Sequence, residues 1–540
     1  MPSLTLSHTA FTWPDGTPCL ADATLAFPPG LTGVVGANGA GKSTLLRLLA
    51  GDLPPSAGAL TRPPDLAYVR QDVTLDARSR ADAVMGLGEV RAALRAVESG
   101  SIEETHYDVI GDQWDAEERA QATLGQLGLP PGTLDRTVGE LSGGEATLLA
   151  IAAALHARPD VLLLDEPTNN LDADATARVV DAMVTRGGTT VVVTHDRGLL
   201  DRVDRIVELR AGRLRVFGGP LAHYEETLVA ERLAAAEELR GARAEASRQK
   251  RELREHVEGI GRRQREGARK ARESGSPKIL AGAKKRASQV SQGRIAGVHE
   301  ERLEAAQQRL ERAEAVADLD REIRVELPGT AVPARRDVAR LTACVLRTGT
   351  HVDALIQGPE RIVLGGANGA GKTTLIETMR GRLAPVSGVA ETHVPVGLLP
   401  QRLDVLDPAL SVVDNVRAAA PDATPHEVRE GLARFLFRGR AGDALAGTLS
   451  GGERFRAALA AVLLARPAPQ LLILDEPTNN LDFASRSHLL EALRDYSGAL
   501  VVVSHDAEFV EELEPTREWR LRPEGFSDVA WRASAAWRAP

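Results

Sequence analysis

The chain has 540 residues, 43% hydrophobic and 26% charged, with a formal net charge of −9 and two cysteines. That length predicts two or more domains, because single cores stop growing near about 250–300 residues. No apolar run approaches the roughly 20 residues that cross a bilayer, no secretory signal opens the chain, and Cys19 and Cys344 make no disulfide framework, which fits a reducing cytoplasm.

In chain order, the apolar strand GLTGVVG runs into GANGAGKSTLL at 36–46 and then a helical pattern. Strand, glycine loop and helix predict a phosphate-binding loop: the glycines let backbone N–H groups wrap phosphates at a helix N-terminus. The loop comprises Gly36, Ala37, Asn38, Gly39, Ala40, Gly41, Lys42, Ser43 and Thr44. Lys42 is placed to reach the β- and γ-phosphates and Ser43 to ligate Mg²⁺. Farther on, ADAVMGLGEVRAALRAVES (81–99) reads as helical and DQWDAEERAQATL (112–124) is acidic. They belong to an insertion at about 75–125, a surface elaboration or a partner-binding arm. LSGGE at 141–145 supplies Ser142, Gly143 and Gly144. The strand VLLLDE then ends in two carboxylates. Asp165 is placed to hold Mg²⁺ through its water shell, and Glu166 to orient or activate the attacking water. His195 follows a further apolar strand, which predicts a place beside the γ-phosphate.

Residues 223–327 change character. Leu228, Ala235, Leu239, Ala242, Ala246 and Leu253, then Leu303, Ala306, Leu310, Ala313 and Ala317, carry heptad-like spacing. They predict a coiled-coil hairpin, broken at about 259–298 by Gly259, Gly261, Gly275, Pro277, Gly282, Gly293 and Gly297. Helical arms of about 35–40 residues would reach on the order of 50–60 Å. The break carries a net charge of +9 while the whole chain is −9, so charge is strongly segregated. Lys278, Lys284, Lys285 and Arg286 suit phosphate contact. No Phe, Tyr or Trp lies there, so folded RNA is a better partner than single-stranded bases.

The first pattern then returns. GANGAGKTTLI at 366–376 provides Gly366, Ala367, Asn368, Gly369, Ala370, Gly371, Lys372, Thr373 and Thr374. LSGGE recurs with Ser450, Gly451 and Gly452, the carboxylate pair as Asp475 and Glu476, and the histidine as His505. Lys42 to Gln71 and Lys372 to Gln401 are both 29 residues; Asp165 to His195 and Asp475 to His505 are both 30. Two homologous α/β domains are predicted, 1–222 and 328–540. The first has about 22 extra residues, since Lys42 to Ser142 is 100 and Lys372 to Ser450 is 78.

LSGGE and the LD of NNLD resemble the ATP-binding cassette superfamily over both halves. The resemblance implies P-loop NTPase domains, ATP and Mg²⁺ as cofactors, Gln71 and Gln401 at the metal, and two composite sites at a head-to-tail interface. Site one would pair Lys42, Gln71, Asp165, Glu166 and His195 with Ser450 and Gly451. Site two would pair Lys372, Gln401, Asp475, Glu476 and His505 with Ser142 and Gly143. Trp13 lies where the family stacks an aromatic ring on adenine, and ACVLRTGTHV (343–352) has none. The family's Arg three residues after the signature Glu is Arg456 in one half and Leu148 in the other. Both departures fall on site two, which is expected to bind ATP more weakly or turn over more slowly.

Two cassettes, no membrane segment and a charged helical linker resemble the ABC-F family. That resemblance implies a cytoplasmic ATPase whose cassettes pair within one monomer and whose linker tip meets rRNA and tRNA on the ribosome. Its role would be in translation or in antibiotic protection. Two other readings stay open: an ATP-binding subunit energising an exporter with separate membrane subunits, and a DNA-associated ATPase.

Overall fold

The structure is a computed structural model that describes residues 4–71, 75–169, 171, 173–273, 301–314, 327–367, 369–400, 404–478, 481–504, 506–522 and 525–532. The expectations placed on Asn368, Gln401, His505, Lys278, Lys284, Lys285 and Arg286 lie outside the described residues.

The chain divides into two compact units, Met1–Tyr224 with Ile323–Pro540, and Glu225–Glu322. In the first unit each half has a six-stranded sheet. Leu66–Val69, Val161–Asp165, Thr189–Val193, Gly30–Val35 and Arg205–Arg210 run parallel in that order, and Arg213–Gly218 closes the edge antiparallel. The second half repeats it with Val396–Leu399, Leu471–Asp475, Ala499–Val503, Arg361–Gly365, Arg517–Arg522 and Gly525–Ala530. The inner strands VLLLD and TTVVV are buried at every residue, as strands covered on both faces must be. In this order the loops after Val35, Asp165 and Val193 emerge at one edge, where parallel sheets bind ligands. A three-stranded antiparallel sheet accompanies each half: Pro18–Phe27, Leu4–Thr12 and Ala57–Thr61, then His351–Gln357, Asp337–Val345 and Ser387–Thr392.

The insertion in the first half is helical. The segment 81–99 that reads as helical forms two helices, Ala81–Val84 and Gly88–Glu98, with Gly86 turning the chain between them at φ 73°. Glu104–Ile110 and Ala116–Gln126 follow. Arg91 is 1% exposed and ties them together through Asp82 at 2.8 Å, Glu117 at 2.8 Å and Asp135 at 3.3 Å.

In the second unit a single helix, Leu221–Glu273, is followed by helical residues 301–314. It continues through Gly259 and Gly261, where the glycines predicted a break. Each glycine costs a helix about 1 kcal/mol, and the surrounding Arg, Glu, Gln and Ala are strong helix formers. An Arg254–Glu258 pair at 3.0 Å adds support just before the first glycine. The described heptad positions are buried or half-buried, Ala242, Ala306 and Ala313 most deeply. Arg309 forks onto Glu238 at 2.8 and 3.1 Å, and Arg243 reaches Glu314 at 3.1 Å.

Candidate functional site

Each phosphate loop is preset by its backbone. The helix Lys42–Ala50 starts at Gly41 with φ 102° and no side-chain cap, and Lys372–Met379 starts at Gly371 with φ 100°, also uncapped. Uncapped helix N–H groups at a positive dipole end are ready acceptor-seekers for phosphate. The Lys42 ammonium donates to the carbonyls of Gly36 at 2.7 Å and Ala37 at 3.2 Å, bracing the loop. Lys372 does the same to Gly366 at 2.6 Å. Burial holds both ammonium groups below the ordinary lysine range, opposed by the nearby carboxylates.

The acidic strand ends are strained. Glu166 has φ 48° and Glu476 φ 47°, left-handed conformations that a non-glycine side chain seldom adopts. Their backbone N–H groups donate to Val193 O at 2.8 Å and Val503 O at 2.9 Å, which fixes the turn. Strain of this kind costs on the order of 1–3 kcal/mol. Asp165 is 3% exposed and accepts from the Tyr68 hydroxyl at 3.3 Å. Burial pushes the Glu166 carboxyl up to about 8, despite the opposing Lys42 charge. Burial, helped by Lys42, pushes the His195 imidazole down to about 3, so the ring is neutral. His195 Nε2 stands 3.4 Å from Glu166 Oε1.

A cavity of about 760 Å³ gathers Asn38, Gly39, Gly41, Lys42, Ser43, Thr44, Gln71, Asp165, Glu166 and His195 from the first half. The second half contributes Gly451, Arg454, Phe455, Glu476 and Leu481. Gly36, Ala37 and Ala40 form the remainder of that loop, half-buried or exposed beside it. The halves touch directly. Asp482 Oδ2 accepts the Asn38 N–H at 2.7 Å, and Asp482 Oδ1 caps the helix Phe483–Arg494 through Ser485 N–H at 2.7 Å. Burial alone would raise the Asp482 pKa; these donors more than reverse that and hold it low. A methyl group built on Gly451 would stand 3.1 Å from the Asn38 Cβ, and one on Gly39 would stand 3.6 Å from the Ser450 Cβ. Ser450 caps the helix Gly451–Leu463 in a reciprocal box with Glu453, presenting that helix N-terminus, with Gly452 in its first turn, to the first P-loop.

At the other pairing Asp172 and Asn368, the counterparts of Asp482 and Asn38, lie outside the described residues. Ser142 caps Gly143–His156 with the same box through Glu145, and Gly144 lies in its first turn. Yet methyl groups on Gly143 or Gly369 would meet nothing within 4 Å among the described residues. Ala367, Gly369 and Thr373 are exposed; Ala370 and Thr374 are half-buried. Asp475 is half-buried too, where Asp165 is buried.

Trp13 sits on a hairpin turn, edge-on to Phe11 at 5.1 Å. The turn closes through Trp13 N–H to Thr17 O and Gly16 N–H to Trp13 O. The same bonds recur as Leu346 to Thr350 and Gly349 to Leu346, so Leu346 occupies the matching position, 0% exposed. Arg456 lies 5.7 Å over the Phe437 ring, and Leu148 is buried in its counterpart helix. Three neighbours of the site were not singled out by sequence: Arg454, Asp482 and Phe483. Asp482 belongs to the repeated NNLD, but its partner is 444 residues away.

ATP and its metal fit this donor set. The cradle N–H groups and Lys42 suit phosphates, and the Ser43 hydroxyl, Gln71 and Asp165 line the same cavity, few oxygen donors as Mg²⁺ prefers when phosphates complete its shell.

Comparison with known proteins agrees. The ABC transporter family model matches residues 20–169 and 350–479. Tylosin resistance ATP-binding protein TlrC of Streptomyces fradiae is 35% identical over 90% of this chain and 92% of its own. Energy-dependent translational throttle protein EttA of Mycobacterium tuberculosis is 34% identical over 91% and 87%. The archaeal ribosome recycling factor aABCE1 shares the fold, with a TM-score of 0.54 at 20% identity, covering 97% of this chain and 90% of that one. No described helix is long and apolar enough to cross a membrane. A paired set of nucleotide cradles on one chain, and relatives matched along nearly its whole length, place this ATP-binding protein in the ABC-F family.

Proposed function

We propose that the chain is a Mg²⁺-dependent ATPase of the cytoplasm that acts on the ribosome and protects it from an antibiotic. The observation that carries the ATPase reading is the Asp482–Asn38 bond, which joins the second cassette to the first P-loop around one cavity. Lys42 and the loop N–H groups hold the β- and γ-phosphates. Ser43, Gln71 and Asp165 would hold Mg²⁺, which would supply neutralisation of phosphate charge. Glu166, as the carboxylate, orients water and accepts its proton; neutral His195 donates to or positions the γ-phosphate oxygen. Site two would use Lys372, Thr373, Gln401, Asp475, Glu476 and His505 in the same roles, with Ser142 and Gly143 from the other half.

ATP bound between the cassettes bridges them, and loss of the γ-phosphate frees them. The pairing is intramolecular, so a monomer suffices. The ribosomal reading rests on relatives named for translation and for tylosin resistance, and on the +9 charge of 259–298, where Lys278, Lys284, Lys285 and Arg286 would meet rRNA or tRNA phosphates. The test is a Glu166→Gln/Glu476→Gln double variant run through a sucrose gradient with ATP. Co-sedimentation with ribosomes supports the reading; recovery with membranes supports the exporter-subunit alternative. Expression of the wild type in a macrolide-sensitive host should raise the inhibitory concentration of at least one ribosome-targeting drug. No rise across the panel removes the protection role.

A further inference from the structure

Phe483 begins the helix that Asp482 caps, so its backbone is pinned to the first P-loop through the Asn38 bond. Its ring reaches three groups of the first half at once. The His195 ring lies 5.9 Å away, edge-on at 68°. The Arg197 guanidinium lies 5.9 Å over the ring, and Arg197 also pairs with Glu508 of the second cassette. The Tyr224 ring lies 6.5 Å away. Tyr224 is 5% exposed, stands edge-on to Phe217 at 5.0 Å and donates to Glu208 at 3.2 Å. It sits in the first turn of the helix Leu221–Glu273, which continues into the second unit.

A histidine ring is usually oriented by a hydrogen bond to its second nitrogen. Neither nitrogen of His195 has a hydrogen-bond partner among the described residues. Beside the Glu166 carboxylate, 3.4 Å from its Nε2, the described aromatic ring packed on His195 is that of Phe483. The first-half sequence NNLDADAT reads against NNLDFASR, so position 173 carries Ala where 483 carries Phe. The first half therefore offers no ring at the matching position.

We propose that Phe483 is a positioning residue that acts across the cassette interface. It holds His195 in its working orientation at site one and, in the same contact, ties that site to the first turn of the linker helix. The inference rests on the ATPase reading above. Closure would seat Phe483 between His195 and Tyr224 together, so the γ-phosphate sensor and the helix root feel one event.

The test compares steady-state ATP hydrolysis and fluorescent-ATP binding in wild type, Phe483→Ala, Phe483→Leu and Phe483→Tyr. An edge-on aromatic pair is worth enough to change a rate about threefold to tenfold. Phe483→Ala and Phe483→Leu should lower kcat by about that factor with ATP binding unchanged, and Phe483→Tyr should restore it. Adding His195→Ala to Phe483→Leu should cost less than His195→Ala costs alone. Tyr224→Ala should lower kcat in the wild type and have no further effect beside Phe483→Leu. Should Phe483→Ala fail to fold, the Leu and Tyr variants carry the comparison. A Phe483→Leu enzyme with wild-type kcat, or losses that multiply in the double variants, overturns the proposal. An inactive wild type that still binds ATP would instead sink the hydrolysis reading on which it stands.

Discussion

The two cassettes carry the same motif letters in different surroundings. At site one Asp482 accepts the Asn38 N–H at 2.7 Å, and a methyl group built on Gly39 would stand 3.6 Å from the Ser450 Cβ. At site two Asp172 and Asn368 lie outside the described residues, and methyl groups on Gly143 or Gly369 would meet none of the described ones within 4 Å. What does differ beside the motifs is their neighbours: Trp13 against Leu346, Arg454 and Arg456 against Ala146 and Leu148, Phe483 against Ala173. Repeated motifs set which chemistry is possible in each half, and these neighbours are where the two sites can be made unequal.

The strongest way to break this contrast is to remove each base in turn. Glu166→Gln should lower kcat about 10²–10⁴-fold, the usual contribution of a general base. Glu476→Gln should cost less than about tenfold. Equal losses in single-turnover ATP hydrolysis would mean that the two sites work alike and that their differing neighbours carry no kinetic meaning.

The pH profile sharpens the same point. Burial raises the Glu166 pKa to about 8. A general base works as its carboxylate, so kcat/KM should fall about tenfold per pH unit below that value and level off above it. His195 titrates near 3 and adds no limb across this range. In Glu166→Gln the slope should vanish. A wild-type profile flat between about pH 6 and 8 would remove Glu166 as the titrating base.

Asp482 tests closure rather than chemistry. A hydrogen bond to a charged group contributes about 1.5–3 kcal/mol. Asp482→Ala should therefore raise the ATP concentration for half-maximal closure about tenfold or more, read by fluorescence transfer between dyes on the two cassettes. No change would place closure elsewhere.

What the sequence could reveal follows from distance along the chain. Loop, strand-end carboxylates and signature are each set by a few consecutive residues, so Lys42, Glu166 and Ser450 were legible without a fold. The heptad positions from Leu228 onward were legible for the same reason, since periodicity is local. Gly259 and Gly261 misled because a propensity cost of about 1 kcal/mol each is easily outweighed by good helix formers on both sides. Arg91 reads as one more surface charge; its burial depends on Glu117 and Asp135, which the insertion brings in from 26 and 44 residues away. The Asp482–Asn38 bond and the Phe483 contacts needed the two halves assembled. No local pattern announces a partner several hundred residues distant.

The smallest expected effect concerns the adenine side of the comparison. Trp13 and Leu346 hold the same turn position, but Leu346 is fully buried and offers no ring face. Aromatic stacking is worth about 0.5–1.5 kcal/mol beyond area. Trp13→Leu should thus weaken ATP binding about twofold to tenfold at site one and leave site two untouched. The two sites can be separated by measuring fluorescent-ATP binding in Lys372→Ala and Lys42→Ala backgrounds, each of which disables one cradle. If Trp13→Leu changes nothing when site one is the remaining cradle, the ring is packing on Phe11 alone, and any inequality between the sites must come from the signature side, where Arg454 and Arg456 face Ala146 and Leu148.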